Sequence, residues 1–152
     1  IGEGKIKSIL VKSVQDLGLA EGVRFIPKAK NTKDLLSALD IFVMPSLQEG
    51  LGLALMEAMA QGLAVVGSSV GGIKSLIQDK VNGLLVEPAD SAALAQAIIS
   101  LLNNNQLRQQ LGGEARKFIM ANFSQEEMVD KTEQVYQQFF ETLGPVKLCA
   151  KN

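Results

Sequence analysis

The chain has 152 residues, enough for one domain with a real core. Its formal net charge is −1, which argues against a strong electrostatic attraction to nucleic acid or to an acidic membrane. It has no histidine and no tryptophan, so neither a Ser-His-Asp triad nor a His-ligated metal site can be built from it. The single cysteine, Cys149, cannot form an internal disulfide, which fits a reducing, cytoplasmic setting. No apolar run approaches the ~20 residues of a membrane span. The first residues, Ile1-Gly2-Glu3-Gly4-Lys5, do not read as a signal peptide.

The spacing of Ile6, Ile9, Leu10, Val14 and Leu17 predicts a helix over 5–17, closed by Gly18. Val23 to Ile26 reads as a short strand ended by Pro27. Asn31 or Thr32 can cap a helix over 33–39. Ile41 to Met44 is a continuous apolar run, as in a buried parallel strand. A helix over 52–61 follows, stopped by Gly62, and Ala64 to Ser68 is the next strand. Gly71-Gly72 opens a helix over 73–77, Asn82-Gly83 is a turn signal, and Leu84 to Val86 is a last short strand. Asp90 or Ser91 caps a helix over 92–102, and another is expected over 107–120. Ser124 to Glu127 has the form of a capping box and starts a long helix carrying Met128, Val129, Val135, Tyr136, Phe139 and Phe140. The stripe of Val135, Tyr136, Phe139 and Phe140 is expected to be core, the other reading being an exposed interface.

Alternating strands and helices predict an α/β fold, a Rossmann-like parallel sheet with flanking helices. Residues 1–143 are expected to form a single Rossmann-like domain, and 144–152 a C-terminal tail. In such folds ligands bind at the carboxyl ends of the strands. The Glu49 loop and the 68–72 loop both fall there.

The stretch from Pro45 to Gly62 holds the most chemistry. Two carboxylates, Glu49 and Glu57, flank Gly50 and Gly52 at the start of a helix. A helix N-terminus has unpartnered N–H groups and a partial positive charge. Glycines let an anion approach that backbone closely. Glu57, about one turn into the helix, can accept hydrogen bonds from vicinal ribose hydroxyls, while Glu49 would point to a sugar. Phosphate plus hydroxyls suggests a nucleotide sugar. The plainer reading is a helix start whose acids merely complement the dipole.

The flanks add a resemblance. Asp40-Ile41-Phe42-Val43-Met44-Pro45-Ser46, Glu49-Gly50-Leu51-Gly52-Leu53 and Glu57-Ala58-Met59-Ala60-Gln61-Gly62 resemble the donor-site signature of family 4 (group 1) glycosyltransferases with the GT-B fold. The similarity runs on through Val70-Gly71-Gly72-Ile73 and Asn82 to Val86, and spans roughly residues 2–140. The resemblance implies retaining transfer of a sugar from a nucleoside diphosphate donor such as a UDP-, GDP- or ADP-sugar, without a metal or other cofactor. It implies that Glu49 meets the donor sugar as the catalytic carboxylate and Glu57 the ribose. Backbone N–H groups of Leu51, Gly52 and Leu53 would hold the diphosphate and sugar, with Gly50 in the same loop. Phe25, Ile26 and Pro27 would lie on the base side.

The chain also departs from the family pattern. Nothing in it matches the Arg and Lys that neutralise the leaving diphosphate. Ile1 to Gly4 resembles the tail of the second strand of that domain. The first strand of that domain, its helix and most of the second strand would therefore be missing, and the N-terminal acceptor domain would be a missing partner. Ile26-Pro27 stands where a Gly is common, Ala64 replaces a usual Pro, and Ser75 stands where Glu is common. Gly71-Gly72 keeps two readings, a phosphate or sugar contact and a tight turn into a helix. The basic cluster of Lys28, Lys30 and Lys33 reads as a solvated loop.

In the family's sheet order the strand Ile41–Met44 would be left with an open edge, so either strand rearrangement or self-association is expected. Two further readings stand beside the transferase: an inactive module acting in binding or self-association, and another nucleotide-sugar enzyme such as an epimerase. The full-length enzyme would be cytoplasmic or peripheral at the inner membrane face.

Overall fold

The computed structural model describes residues 4–27 and 31–143. Ile1, Gly2, Glu3, Lys28, Lys30, Cys149 and the 144–152 tail lie outside the described residues. The chain divides into two compact units, Ile1–Leu39 and Asp40–Asn152.

The first unit holds α1 (Lys7–Asp16) and α2 (Thr32–Ser37). Gly18, at φ +66°, ends α1. Its N–H donates to Gln15 and that of Leu19 to Val14, both at 2.9 Å, which is a Schellman closure. The expected apolar stripe of α1 forms, but Ile6, Ile9, Leu10 and Leu17 are exposed. Asn31, not Thr32, caps α2: its side chain accepts from the Lys33 N–H at 3.0 Å.

The strand expected over Val23–Ile26 is not there, and these residues are irregular. A strand needs a neighbour to satisfy its N–H and C=O groups. Among the described residues the first unit has no other strand.

In the second unit β1 (Ile41–Met44), β2 (Ala64–Ser68) and β3 (Leu84–Val86) pair as a parallel sheet in that order. The register sets Ile41 beside Ala64, Val43 beside Val66, and Val66 beside Leu84. Because side chains alternate along a strand, these residues share one face. That face packs on α5 (Ser91–Leu102) and α6 (Asn105–Asn122) through a cluster of Ala64, Val66, Leu101 and Leu111. On the other face, a Cβ on Gly67 would lie 2.6 Å from Ile73 Cγ2 and 3.0 Å from Ile77 Cδ1. So Gly67 is where α4 (Gly71–Leu76) and its following turn come down onto the sheet. Helices on both faces explain why every residue of β2 is buried. Among the described residues β1 lies at an edge of this sheet.

α3 (Leu53–Ala60) joins β1 to β2. Gly62, at φ +80°, ends it: the Leu63 N–H reaches Ala58 at 3.2 Å and the Gly62 N–H reaches Met59 at 2.9 Å. Asp90 caps α5 through the Ala93 N–H at 2.8 Å, and Asn104 caps α6 through the Leu107 N–H at 2.9 Å. Asn104→Ala should lower stability by about 1 kcal/mol, read from the shift of a urea midpoint. An unchanged midpoint would mean that α6 does not depend on its cap.

The turn after α4 differs in detail from the Asn82-Gly83 signal. The left-handed residue is Lys80, at φ +62°. Asn82 is buried instead, with Oδ1 accepting from the Gln78 N–H at 2.7 Å and Nδ2 donating to the Leu76 carbonyl at 3.1 Å.

The last helix, α7 (Gln125–Leu143), starts as expected: Ser124 Oγ accepts from the Glu127 N–H at 3.0 Å. Glu127's own carboxylate pairs with Lys131 at 3.1 Å. The expectation that Val135, Tyr136, Phe139 and Phe140 are core is corrected: all four are more than half exposed. Helical periodicity marks an apolar face but does not supply the element that covers it.

Candidate functional site

The loop after β1 carries Glu49 and the helix that follows, α3, carries Glu57, the two acids expected of the site. Glu49 is half-buried and Glu57 is exposed. Ser46 Oγ lies 3.5 Å from Glu49 Oε2, at the outer limit of a hydrogen bond. Gly52 stands at the N-cap of α3 in a left-handed conformation, φ +74° and ψ +47°. A Cβ there would sit 3.5 Å from Leu76 Cδ1 and 3.7 Å from Glu49 Cγ. The stem of Glu49 is therefore folded back over the start of α3.

No side chain caps α3. The N–H groups of Gly50, Leu51, Gly52 and Leu53 find no backbone acceptor among the described residues. Four donors at one helix entrance, flanked by glycines, form a place where an anion replaces missing partners.

Glu57 lies on the solvent face of α3, one turn beyond exposed Leu53. Leu55, Ala58 and Met59 anchor the opposite face. Because Cα–Cβ bonds tilt toward a helix N-terminus, Glu57 leans back toward the end with the free donors. The first turn of α3 contains no acid. A charge interacts with the helix dipole mainly within that turn. Simple dipole complementation therefore accounts poorly for Glu57.

Beside this entrance runs an open groove of about 1000 Å³, with Leu51, Leu53 and Met56 on one side and Phe123, Met128 and Tyr136 on the other. The contribution of α7 to its walls has no local sequence signal, since it depends on how the chain bends between α6 and α7. Phe25, Ile26 and Pro27 belong to the first unit, in its irregular stretch. Their base-side role stays an expectation from the resemblance. Among the described residues, no group of three or more acidic, Cys or His side chains is placed to hold a metal ion. No helix there is long and apolar enough to cross a membrane.

A sequence model of the family described as "Glycosyl transferases group 1" matches residues 1–118. The chain belongs to this group 1 glycosyltransferase family. Among its relatives is N-acetyl-alpha-D-glucosaminyl L-malate synthase of Bacillus anthracis, 33% identical over 136 residues, covering 90% of this chain and 36% of that protein. Sucrose-phosphate synthase of Thermosynechococcus elongatus superposes with a TM-score of 0.83 at 31% identity, over 93% of this chain and 37% of its own. HepE of Anabaena, solved in complex with UDP-glucose, superposes with a TM-score of 0.75 at 28% identity, over 90% of this chain and 36% of its own.

This group 1 glycosyltransferase chain thus spans little more than a third of the length of each of these proteins. Its three-stranded parallel sheet flanked by helices is that of a C-terminal GT-B domain.

Proposed function

We propose that the second unit binds the nucleoside diphosphate sugar of a retaining group 1 glycosyltransferase at the entrance of α3. The free N–H groups of Leu51, Gly52 and Leu53 receive the diphosphate, Glu57 the ribose hydroxyls and Glu49 the sugar. The observation that carries this reading is the uncapped α3 with a left-handed glycine at its N-cap and Glu57 exposed one turn in. The complex of HepE with UDP-glucose supports the donor class.

Transfer itself belongs to the whole enzyme, with an acceptor domain and a cationic clamp on the leaving diphosphate. Residues 45–62 contain no Lys or Arg. They bring donors and carboxylates but no full positive charge to a leaving group that needs it. The isolated chain is therefore proposed to bind donor without turning it over, and to need no metal for binding.

Calorimetric titration of the chain with UDP, GDP and ADP tests this. One of the three should bind, and Glu57→Ala should weaken it about 10- to 100-fold, the worth of charge-assisted hydrogen bonds. Glu57 is exposed, so its loss leaves the fold intact. Equal affinity in the two proteins would remove the ribose role.

Among the described residues β1 pairs only with β2, which favours a second reading, a module that self-associates through its sheet edge. Light scattering decides it: a strict monomer over a wide concentration range would contradict that association.

A further inference from the structure

Gly71 and Gly72 meet the Glu49 loop backbone to backbone. The Gly72 N–H donates to the Glu49 carbonyl at 3.1 Å. A Cβ on Gly71 would overlap the Glu49 carbonyl oxygen, with the carbonyl carbon farther away at 3.3 Å. A Cβ on Gly72 would overlap the Gly50 carbonyl oxygen and stand 3.0 Å from Leu51 Cα. Two consecutive carbonyls thus point at this glycine pair. No side chain larger than hydrogen fits between them without moving the loop. Gly71 also holds φ at +37°, a conformation that a side chain disfavours.

A trans peptide points its N–H opposite to its C=O, and the described chain has no cis peptide bond. With the Glu49 and Gly50 carbonyls turned onto Gly71-Gly72, the N–H groups of Gly50 and Leu51 must face the other way. Those are the first of the free donors at the entrance of α3.

We infer that Gly71 and Gly72 are positioning residues: they clamp the Glu49 and Gly50 carbonyls and so aim the loop N–H groups at the donor diphosphate. The inference rests on the donor-site reading above. It assigns the pair neither a direct ligand contact nor only a turn. The two loops leave the carboxyl ends of β1 and β2, so the sheet sets their separation. The missing side chains of Gly71 and Gly72 let them touch.

The test uses the full chain and its Gly72→Ala variant, with UDP and UDP-glucose as probes and amide hydrogen exchange as a second readout. Positioning predicts that Gly72→Ala weakens UDP and UDP-glucose by the same factor, at least tenfold. It also predicts faster exchange at residue 72, whose N–H makes the bond to Glu49, with wild-type protection kept in β2. A loss confined to UDP-glucose would make the pair a sugar contact and overturn the inference. Unchanged affinity with unchanged loop exchange would overturn it as well. If the wild type binds neither probe, the donor reading falls, and the exchange data alone decide whether the pair holds the loop. Should the variant fail to fold, the wild type still answers. Its Gly72 amide must exchange far more slowly than an open-chain amide, and open-chain exchange there ends the proposal.

Discussion

Leu111→Ala should lower the stability of the second unit by about 2–5 kcal/mol. Leu111 is fully buried on α6 and joins Ala64, Val66 and Leu101 under the sheet. Truncation removes apolar burial and leaves a cavity between a helix and a sheet that cannot both collapse into it. Domains of this size are stable by only ~5–15 kcal/mol in total, so this one change removes a large share. Urea unfolding followed by circular dichroism should show a lower midpoint at an unchanged slope. Since Leu111 belongs neither to the loop that carries Glu49 nor to α3, which carries Glu57, the folded fraction should bind nucleotide as the wild type does. A loss under about 1 kcal/mol would mean that α6 does not close the core.

Asn82→Leu should be comparably severe for a different reason. The substitution keeps the branched shape and the number of heavy atoms, adds bulk at a buried position, and removes both hydrogen bonds that tie the end of α4 to the turn before β3. The Gln78 N–H and the Leu76 carbonyl each lose a partner. Leaving such groups unsatisfied costs about 1–3 kcal/mol apiece, and added apolar surface does not offset it at a site already buried. Thermal unfolding of the variant should begin well below that of the wild type. Hydrogen exchange should place the first opening at Gln78. If that amide stays protected, the turn is held by Lys80 and Asp79, whose contacts to Gly83 and Leu85 at 2.8 and 2.9 Å would survive the change.

The strands of the second unit were legible residue by residue. Ile41–Met44, Ala64–Ser68 and Leu84–Val86 are short apolar runs between turn residues, and a sheet covered on both faces leaves such runs no other role. Helix ends were legible to within a residue or two where a cap or a glycine marks them, as at Asp90 and Gly62. Val23–Ile26 misled because its composition suits a strand while its pairing depends on a neighbour. The α7 stripe misled because apolar spacing does not record what lies opposite.

The site divides in the same way. Glu49, the glycines and the helix start are local, and the sequence shows them. The contact of Gly71-Gly72 with Glu49 and Gly50 is not local. It joins loops some twenty residues apart, and a Gly-Gly pair alone is equally compatible with a turn or a ligand contact. Asn82 is similar: an Asn-Gly pair signals a turn, and only the fold reveals that the side chain is buried and bonded at both ends.

The exposed face of α7 has a spectroscopic consequence. Tyr136 is the only tyrosine in a chain without tryptophan. It stands on that face with 61% of its surface open. Near-ultraviolet emission of this protein therefore comes almost entirely from one ring on one helix. A change in that emission on mixing with another molecule reports contact at α7 without any added label.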